Sequence, residues 1–299
     1  MQFAITTNDA YQCVLEAFLR NGWQLGKLFL SPGEWFDDTK QVIARALELG
    51  ADIQSSPETD HDLFELGRRN CSVLVVASYQ WKIPEWSSHL KSAVNFHPSP
   101  LPEGRGPYPF VRAILESRSS WAVTCHRINE KFDQGDILDA ENFQVDPDER
   151  HETLRLKTQM AAARLATRVA TNFTTLDEAA RTQSSGSYWG FWTEQDRTID
   201  FTHPVEIIMR QIRAFGSLEC MALVNYLKIY VHRAQGWIES HSARPGAVVY
   251  TNNLALVVAA VDGFIAITAW SFNAPGGNYF TYEALMVSNR ASRQTLVCA

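Results

Sequence analysis

The sequence has few cysteines and no long apolar run. Its five cysteines are scattered along 299 residues and never form a Cys-x-x-Cys pair, which argues against a disulfide framework or zinc site and predicts a reducing, cytoplasmic location. The longest apolar run, residues 254–261, is far shorter than the roughly 20 residues of a membrane span. The first residues contain no basic segment followed by an apolar core. We therefore expect neither a secretory signal nor a membrane partner.

A basic excess is also absent. The net charge is −6, with 25 acidic and 18 basic residues in positions 1–180 and 8 acidic and 9 basic residues beyond them. Phosphate contacts dominate binding to nucleic acids, so this balance disfavours a large nucleic-acid surface. The first predicted strand is followed neither by Gly-x-Gly-x-x-Gly nor by a P-loop. The sequence therefore lacks the usual signals for dinucleotide and P-loop phosphate sites.

The first half of the chain alternates between strand and helix patterns. The run CSVLVVA at residues 71–77 is continuously apolar and β-branched, which is typical of a central parallel strand covered on both faces. Such alternation predicts an α/β fold with a doubly wound, mostly parallel sheet, whose ligands bind beyond the carboxyl ends of the strands. The predicted strands are 3–6, 23–30 and 71–77, and the predicted helices are 9–21, 40–50, 61–70 and 150–175.

A second, smaller β-rich domain is predicted after a polar linker at residues 181–187, RTQSSGS. Pro204 is expected at the first position of a helix, and Gly216 just beyond its end. Asp262-Gly263 is a two-residue hairpin signal between apolar runs. Short strands with tight turns suggest a small barrel or sandwich. We therefore expect a catalytic domain at 1–186 and a C-terminal domain at 187–299, with strands at 227–231, 247–250, 254–261 and 264–270.

The segment VNFHPSPLPEGRGPYP at residues 94–109 carries the first chemical signal. Its five prolines and two glycines fix an irregular backbone directly after Asn95 and His97. If residues 92–97 are extended, these two side chains lie on the same side of the chain. An amide N–H can stabilise an oxyanion, and an imidazole can move a proton or donate a hydrogen bond.

A second block, TCHRINEKFDQGDIL, occupies residues 124–138. Asp133 and Asp136 stand on either side of Gly135. A carboxylate close to His97 would orient its ring and raise its pKa through the opposite charge. His126 lies on a predicted strand, where a structural role is the default expectation.

At these two blocks the chain resembles the folate-dependent formyltransferase family, which includes methionyl-tRNA formyltransferase, glycinamide ribonucleotide transformylase and amino-sugar N-formyltransferases. The family pattern Asn-x-His-Pro-Ser-x-Leu-Pro-x-x-Arg-Gly begins here at Asn95 and ends at Gly106. Thr-x-His and Asp-x-Gly-x-Ile follow at Thr124 and Asp133. Residues 198–201, 212–215, 227–229 and 245–246 resemble the C-terminal domain of methionyl-tRNA formyltransferase. The tail after Trp270 is unmatched.

The resemblance implies the formyltransferase fold, 10-formyltetrahydrofolate as donor and no metal. It also implies a catalytic triad of Asn95, His97 and Asp133. Trp81-Lys82 and Pro100 depart from the residues common in the family, which affects the expected folate contacts but not the reaction class. The residues expected to contact the folate are Tyr79, Gln80, Trp81, Lys82, Ile83, Pro84, Gly135 and Asp136, and those expected at the acceptor are Ser99, Arg105 and Thr124. For Arg105 a structural hydrogen bond to its own loop is an equal alternative, and Thr124 is expected to position backbone rather than to react.

The charge of one segment in the first domain indicates which kind of acceptor to expect. Methionyl-tRNA formyltransferase has a basic insertion in its first domain, whereas the matching residues 31–54 here are short and net acidic. A small-molecule amine is therefore expected, with a nucleotide-linked amino sugar preferred and tRNA disfavoured. The alternative acceptors are methionyl-tRNA and an N-hydroxyornithine or peptide amine. The alternative functions are a hydrolase that releases formate and a non-catalytic interaction protein. The C-terminal domain would position the acceptor, form a homodimer or bind a regulator, and the sequence leaves these open.

Overall fold

The computed structural model describes residues 1–30, 39–79, 81–224 and 227–272. Residues 31–38 of the acidic segment 31–54, Gln80 and the tail beyond residue 272 lie outside the described residues. Contacts divide the chain into two units. Unit 1 consists of Met1–Phe110, Arg118–Asp146 and Thr153–Phe191, and unit 2 of Val111–Ser117, Pro147–Glu152 and the chain from Trp192 onward. Within the described ranges, no helix combines the length and apolar character needed to cross a bilayer.

Unit 1 contains a seven-stranded sheet in the order β3-β2-β1-β4-β5-β6-β7. The first five strands in this order are parallel, and β6 and β7 are antiparallel to their neighbours. The predicted mostly parallel sheet is therefore confirmed. The strands are β1 Gln2–Thr6, β2 Gln24–Phe29, β3 Asp52–Gln54, β4 Cys71–Val76, β5 Ser92–His97, β6 Ser120–Arg127 and β7 Ile137–Gln144.

Helices cover both faces of this sheet. Val73 and Val75 of β4 face one apolar cluster, whereas Leu74 and Val76 face another. The first cluster also takes side chains from the helices α1 (Gln12–Arg20), α2 (Lys40–Glu48) and α5 (His151–Glu178), and the second takes them from α3 (Asp60–Arg68). This is the double covering that the continuous apolar run predicted, because alternate side chains of a strand point to opposite faces. A further helix, α4 Phe110–Leu115, belongs almost entirely to unit 2.

Unit 2 has a five-stranded antiparallel sheet in the order β10-β11-β12-β9-β8. A Cβ atom at Gly236 of β9 would lie 2.6 Å from Val205 and 2.9 Å from Met209, so this glycine lets α7 approach the sheet closely. The predicted β-rich C-terminal region is confirmed. Its elements are α6 Glu194–Arg197, α7 Val205–Phe215, β8 Cys220–Val224, β9 Leu227–Ile238, β10 Val248–Thr251, β11 Leu256–Ala259 and β12 Gly263–Ser271.

Two local details of unit 2 differ from expectation by one residue. The hairpin exists, but the N–H of Ala260 donates to the carbonyl of Gly263, so the turn residues are Val261 and Asp262. Gly263 itself belongs to β12, where a Cβ atom would lie 2.1 Å from the carbonyl oxygen of Trp237. Close approach to the neighbouring strand, rather than turn geometry, explains this glycine. Pro204 likewise precedes α7 instead of opening it.

Candidate active site

The pairing of β5 with β6 brings four polar side chains together. Asn95 lies opposite His126, and His97 lies opposite Thr124. Asn95 and His97 are two apart on an extended strand, so they share a face, as predicted. His97 and His126 are only 5% and 2% exposed, and Thr124 is fully buried. The carboxyl end of β5 therefore holds a largely buried polar cluster.

Asp133 joins this cluster from the loop between β6 and β7. Its Oδ2 accepts a hydrogen bond from the N–H of Gly106 at 2.8 Å. Its Oδ1 lies 3.5 Å from Nδ1 of His97, 3.6 Å from Nε2 of His126 and 3.4 Å from Nδ2 of Asn95. The three residues expected to form the triad are thus within contact distance of one another.

Hydrogen bonds fix which ring nitrogens carry protons. A carbonyl oxygen only accepts, so Nε2 of His97 donates to Gly104 at 2.8 Å and Nδ1 of His126 donates to Arg127 at 2.7 Å. The nitrogens left as hydrogen-bond acceptors are then Nδ1 of His97 and Nε2 of His126. The latter accepts from the amide of Asn95 at 3.2 Å, which orients the Asn95 NH₂ group toward the cluster.

Burial and charge act in opposite directions on the two titrating groups. Burial lowers the pKa of His97, and the raising effects of Asp133 and the Gly104 carbonyl do not compensate. The expected increase from a nearby carboxylate is therefore present, but the predicted net rise is wrong because desolvation is larger. Burial raises the pKa of Asp133, but His97, His126 and the Gly106 N–H lower it more, so the carboxyl pKa lies well below its ordinary value. Near neutral pH the site contains a carboxylate beside a neutral imidazole.

The three residues expected at the acceptor all bond within the protein. Ser99 is fully buried, and its hydroxyl donates to the carbonyl of Glu103 at 2.8 Å. The hydroxyl of Thr124 donates to the carbonyl of Ser99 at 2.7 Å and accepts from the N–H of Leu101. These contacts hold the loop after β5, so the structural role weighed for Thr124 matches the geometry.

Arg105 is 8% exposed, and its guanidinium donates to the side chain of Gln183 and the carbonyl of Ser184. Gln183 in turn donates to the carbonyls of Asp133 and Gly135 at 2.9 and 2.7 Å. Gln183 thus connects the two loops that carry the site. Sequence reasoning missed it, because a glutamine in a polar linker carries no signal of its own.

The residues expected to contact the folate lie in two segments, one directly after β4 and one directly after Asp133. The rings of Tyr79 and Trp81 meet edge to face at 5.4 Å, and the phenol of Tyr79 hydrogen-bonds to Glu58. Ile83 packs on the second apolar cluster, Lys82 is exposed and Pro84 is half-buried. Gln80 lies outside the described residues.

The other two expected folate residues belong to the Asp133 loop. A Cβ atom at Gly135 would lie 1.8 Å from the carbonyl oxygen of Arg127, so only glycine fits there. The carbonyl of Asp136 accepts from the N–H of Arg127 at 2.8 Å, and its carboxylate lies 3.5 Å from the guanidinium. In the described part of the chain, no group of three or more His, Cys, Asp or Glu side chains is arranged to hold a metal ion.

Comparison with known proteins decides the family. The family model "Formyl transferase" matches residues 34–170, and "Formyl transferase, C-terminal domain" matches residues 192–282. A methionyl-tRNA formyltransferase from Coprothermobacter proteolyticus is 30% identical over 204 residues, which cover 67% of each chain. This chain belongs to the formyl transferase family. A methionyl-tRNA formyltransferase from Ehrlichia ruminantium is 33% identical over 147 residues, and the chain spans about half (48%) of its length.

Solved structures share the fold of this formyl transferase chain. HypX from Aquifex aeolicus in complex with tetrahydrofolic acid matches with a TM-score of 0.67 at 16% identity, over 96% of this chain and 47% of that one. An N-formyltransferase from Helicobacter canadensis in complex with folinic acid and dTDP-3-aminofucose matches with a TM-score of 0.66 at 17% identity, over 89% and 98%. At these identities the likeness concerns the fold.

Proposed function

We propose that this chain transfers the formyl group of 10-formyltetrahydrofolate to an amine. The observation that carries the proposal is the meeting of Asn95, His97 and Asp133 at the carboxyl end of β5, in a chain of the formyl transferase family. The carboxylate, the neutral imidazole and the oriented amide are the groups that acyl transfer to an amine needs: proton acceptors and an oxyanion donor.

The residues around the cluster fit a planar donor. Tyr79 and Trp81 are half-buried aromatic side chains just beyond β4, the parallel neighbour of β5. The backbone of residues 133–136 is held tightly, since Gly135 leaves no room for a side chain. We propose that residues 79, 81–84, 135 and 136 contact the pterin through ring faces and backbone groups. The bound donor supplies an electrophilic formyl carbon.

Each residue of the cluster has a distinct role in this proposal. Asn95 donates an N–H to the formyl oxygen as negative charge develops there, and the N–H that makes the weaker 3.4 Å contact with Asp133 is the one released for it. The unprotonated Nδ1 of His97 accepts the proton that the attacking amine loses and passes it to the departing nitrogen. The Asp133 carboxylate, 3.5 Å from this Nδ1, stays ionised, holds the ring in position and stabilises the imidazolium in between. His97 keeps its Nε2–H on Gly104, so in this conformation the oxyanion donor is Asn95.

Variants of Asn95 and Asp133 test the proposed catalytic roles. We expect Asn95→Ala to lower turnover by about 10²–10³, the usual cost of one oxyanion donor. We expect Asp133→Asn to lower it by about 10²–10⁴, the usual contribution of proton-transfer catalysis, with circular dichroism unchanged for both variants. Asp146→Asn removes the same charge from an exposed ion pair with Lys157 and is expected to keep wild-type turnover. Formate release without any amine separates transfer from hydrolysis. Wild-type turnover in both site variants would refute the proposed catalytic residues.

For the acceptor we propose a small-molecule amine, with a nucleotide-linked amino sugar as first choice. The acidic net charge supports a small acceptor over a polyanion, and the Helicobacter canadensis protein named above was solved with dTDP-3-aminofucose. Methionyl-tRNA is the second candidate, because the two relatives described above are methionyl-tRNA formyltransferases. Loss of 10-formyltetrahydrofolate is measured with amino-sugar nucleotides, N-hydroxyornithine and charged initiator tRNA. Transfer to tRNA alone would replace the first candidate with the second.

A further inference from the structure

A buried acid lies beside the proposed folate loop. Glu58, between β3 and α3, is 5% exposed. One carboxyl oxygen, Oε2, accepts a hydrogen bond from the phenol of Tyr79, whose oxygen also accepts from the Glu58 N–H at 3.4 Å. The other oxygen, Oε1, is buried with no hydrogen-bond partner among the described residues. A buried carboxyl group held by one phenol is costly unless it is neutral.

The neighbouring charges keep Glu58 without a counterion. The charged groups that face it are Lys27 of β2 and Asp62 of α3. Lys27 donates to Asp62 at 2.9 Å, and Asp62 also accepts from Thr59 and Gln54. Burial raises the pKa of Asp62, but these hydrogen bonds together bring it well below its ordinary value. Of the two carboxyl groups near Lys27, those of Glu58 and Asp62, Asp62 is therefore the one that is ionised and pairs with the lysine.

Glu58 therefore titrates near neutral pH. Burial, with a smaller contribution from Asp62, raises its pKa to about 7, although its own backbone N–H and Lys27 act in the opposite direction. Below that pH Glu58 is a neutral acid that can remain beside the phenol of Tyr79. Above it, a carboxylate with one bare oxygen must compete with Asp62 for Lys27 or draw in water.

Tyr79 transmits this contact to the loop. Its ring meets the Trp81 indole edge to face at 5.4 Å with an interplanar angle of 82°. Because the hydrogen bond to Glu58 holds the Tyr79 ring in place, that ring also restricts the Trp81 indole on the side that it contacts. Both rings belong to the segment that we propose contacts the pterin.

We infer that Glu58 is a positioning residue for folate binding: its neutral carboxyl group holds the phenol of Tyr79, and through it the indole of Trp81, in the folate-binding arrangement. The inference rests on the proposed function. Glu58 acts through Tyr79 and contacts none of the reacting groups.

Binding of 5-formyltetrahydrofolate to the full-length chain tests this, measured by titration calorimetry between about pH 6 and pH 8.5 across the titration of Glu58. Wild-type affinity is expected to fall as the pH rises through 7. Glu58→Gln keeps an acceptor for the phenol and cannot ionise, so its affinity is expected to stay constant. Tyr79→Phe, which leaves Glu58 without its partner, is expected to bind about tenfold more weakly at the lower pH.

The control is Glu65→Gln, which removes the same charge from the surface of α3 and is expected to show the wild-type pH profile. If Glu58→Gln and Tyr79→Phe both bind with the wild-type affinity and pH profile, the inference is overturned and the proposed function stands. If the wild-type chain itself binds no 5-formyltetrahydrofolate at any pH, the proposed function fails first.

Discussion

His126 lies beside Asn95 and Asp133 in the candidate active site. Its Nε2 accepts from the amide of Asn95 at 3.2 Å and lies 3.6 Å from Oδ1 of Asp133, so this strand histidine has contacts beyond the structural role expected for it. The sequence places His126 and Asn95 thirty-one residues apart, and only the antiparallel register of β5 and β6 makes them opposite neighbours. The Thr-x-His element of the family pattern was the one signal that pointed to it.

We expect His126→Phe to act through Asn95. Without the ring nitrogen, the amide loses the acceptor that orients it, so kcat should fall by roughly tenfold or more while KM for the amine changes little. Steady-state kinetics with saturating donor measure this division. His89→Phe removes an imidazole outside the cluster and should leave both constants unchanged. A rise in KM alone would show that His126 serves binding instead.

Glu58 also predicts a pH dependence of stability. Its pKa is about 7 in the fold against 4.5 as the ordinary value, so between these limits the folded chain holds a proton that the unfolded chain releases. Its contribution to the free energy of unfolding is complete below 4.5 and is lost as the pH rises through 7. Glu58→Gln should therefore unfold at higher urea near pH 8, with a gain of up to roughly 3 kcal/mol, and show little gain near pH 4.5. An equal gain at both pH values would contradict this.

At the scale of elements, the loop after β5 is held by its contacts with residues 183–189. The N–H of Gly104 donates to the Ser187 hydroxyl, and Arg105 exchanges backbone hydrogen bonds with Ser187 and Trp189. The next residue, Gly106, gives its N–H to Asp133. The Asp133 carboxylate, for which we propose a catalytic role, is thereby placed by a segment that sequence analysis assigned largely to a linker.

Gly106→Ala is expected to disrupt this arrangement. The residue has a φ of +98°, and a Cβ atom would lie 2.2 Å from the carbonyl oxygen of Trp189. We expect a loss of roughly 1–3 kcal/mol in thermal or urea unfolding together with lower turnover, because the N–H that holds Asp133 must move. Gly190→Ala is the matched control, since it has open space around it and no left-handed φ. Equal stability of the two variants would refute the strain at Gly106.

The start of α7 shows another long-range contact. Pro204 offers no side-chain cap, and the N–H of Val205 is instead bound by the carboxylate of Asp262 at 2.8 Å. Asp262 lies in the turn between β11 and β12. The Asp262-Gly263 pattern correctly predicted Asp262 as a turn residue. Its hydrogen bond to the N–H of Val205 depends on packing within unit 2, which the pattern does not show.

At the scale of the whole molecule, charge bears on the acceptor. The net charge of −6 gives no general attraction for a polyanion. We expect formyl transfer to an amino-sugar nucleotide to change little between about 50 and 200 mM salt, whereas a tRNA acceptor held by several phosphates would lose a factor of roughly 10³ or more. Initial rates at subsaturating acceptor measure this. Strong salt inhibition with the sugar nucleotide would mean that charge contacts carry most of its binding.

The two units interleave along the chain. Segments Val111–Ser117 and Pro147–Glu152 belong to unit 2, and residues 187–191 belong to unit 1. The boundary at residue 186 rests on linker composition and stays a prediction, as do the role of the C-terminal domain and homodimer formation. Composition marks where a chain is polar, whereas membership of a unit depends on contacts between distant segments.

The sequence by itself determined the alternating strands and helices, the central buried strand and the side-by-side placement of Asn95 and His97. These depend on the period of apolar residues and on the geometry of a single strand, both of which are local. The tertiary structure decided the position of Asp133, the parts played by His126 and Gln183, and the neutral state of His97. These depend on strand register, loop contacts and desolvation, which are set by segments that meet only when the chain has folded.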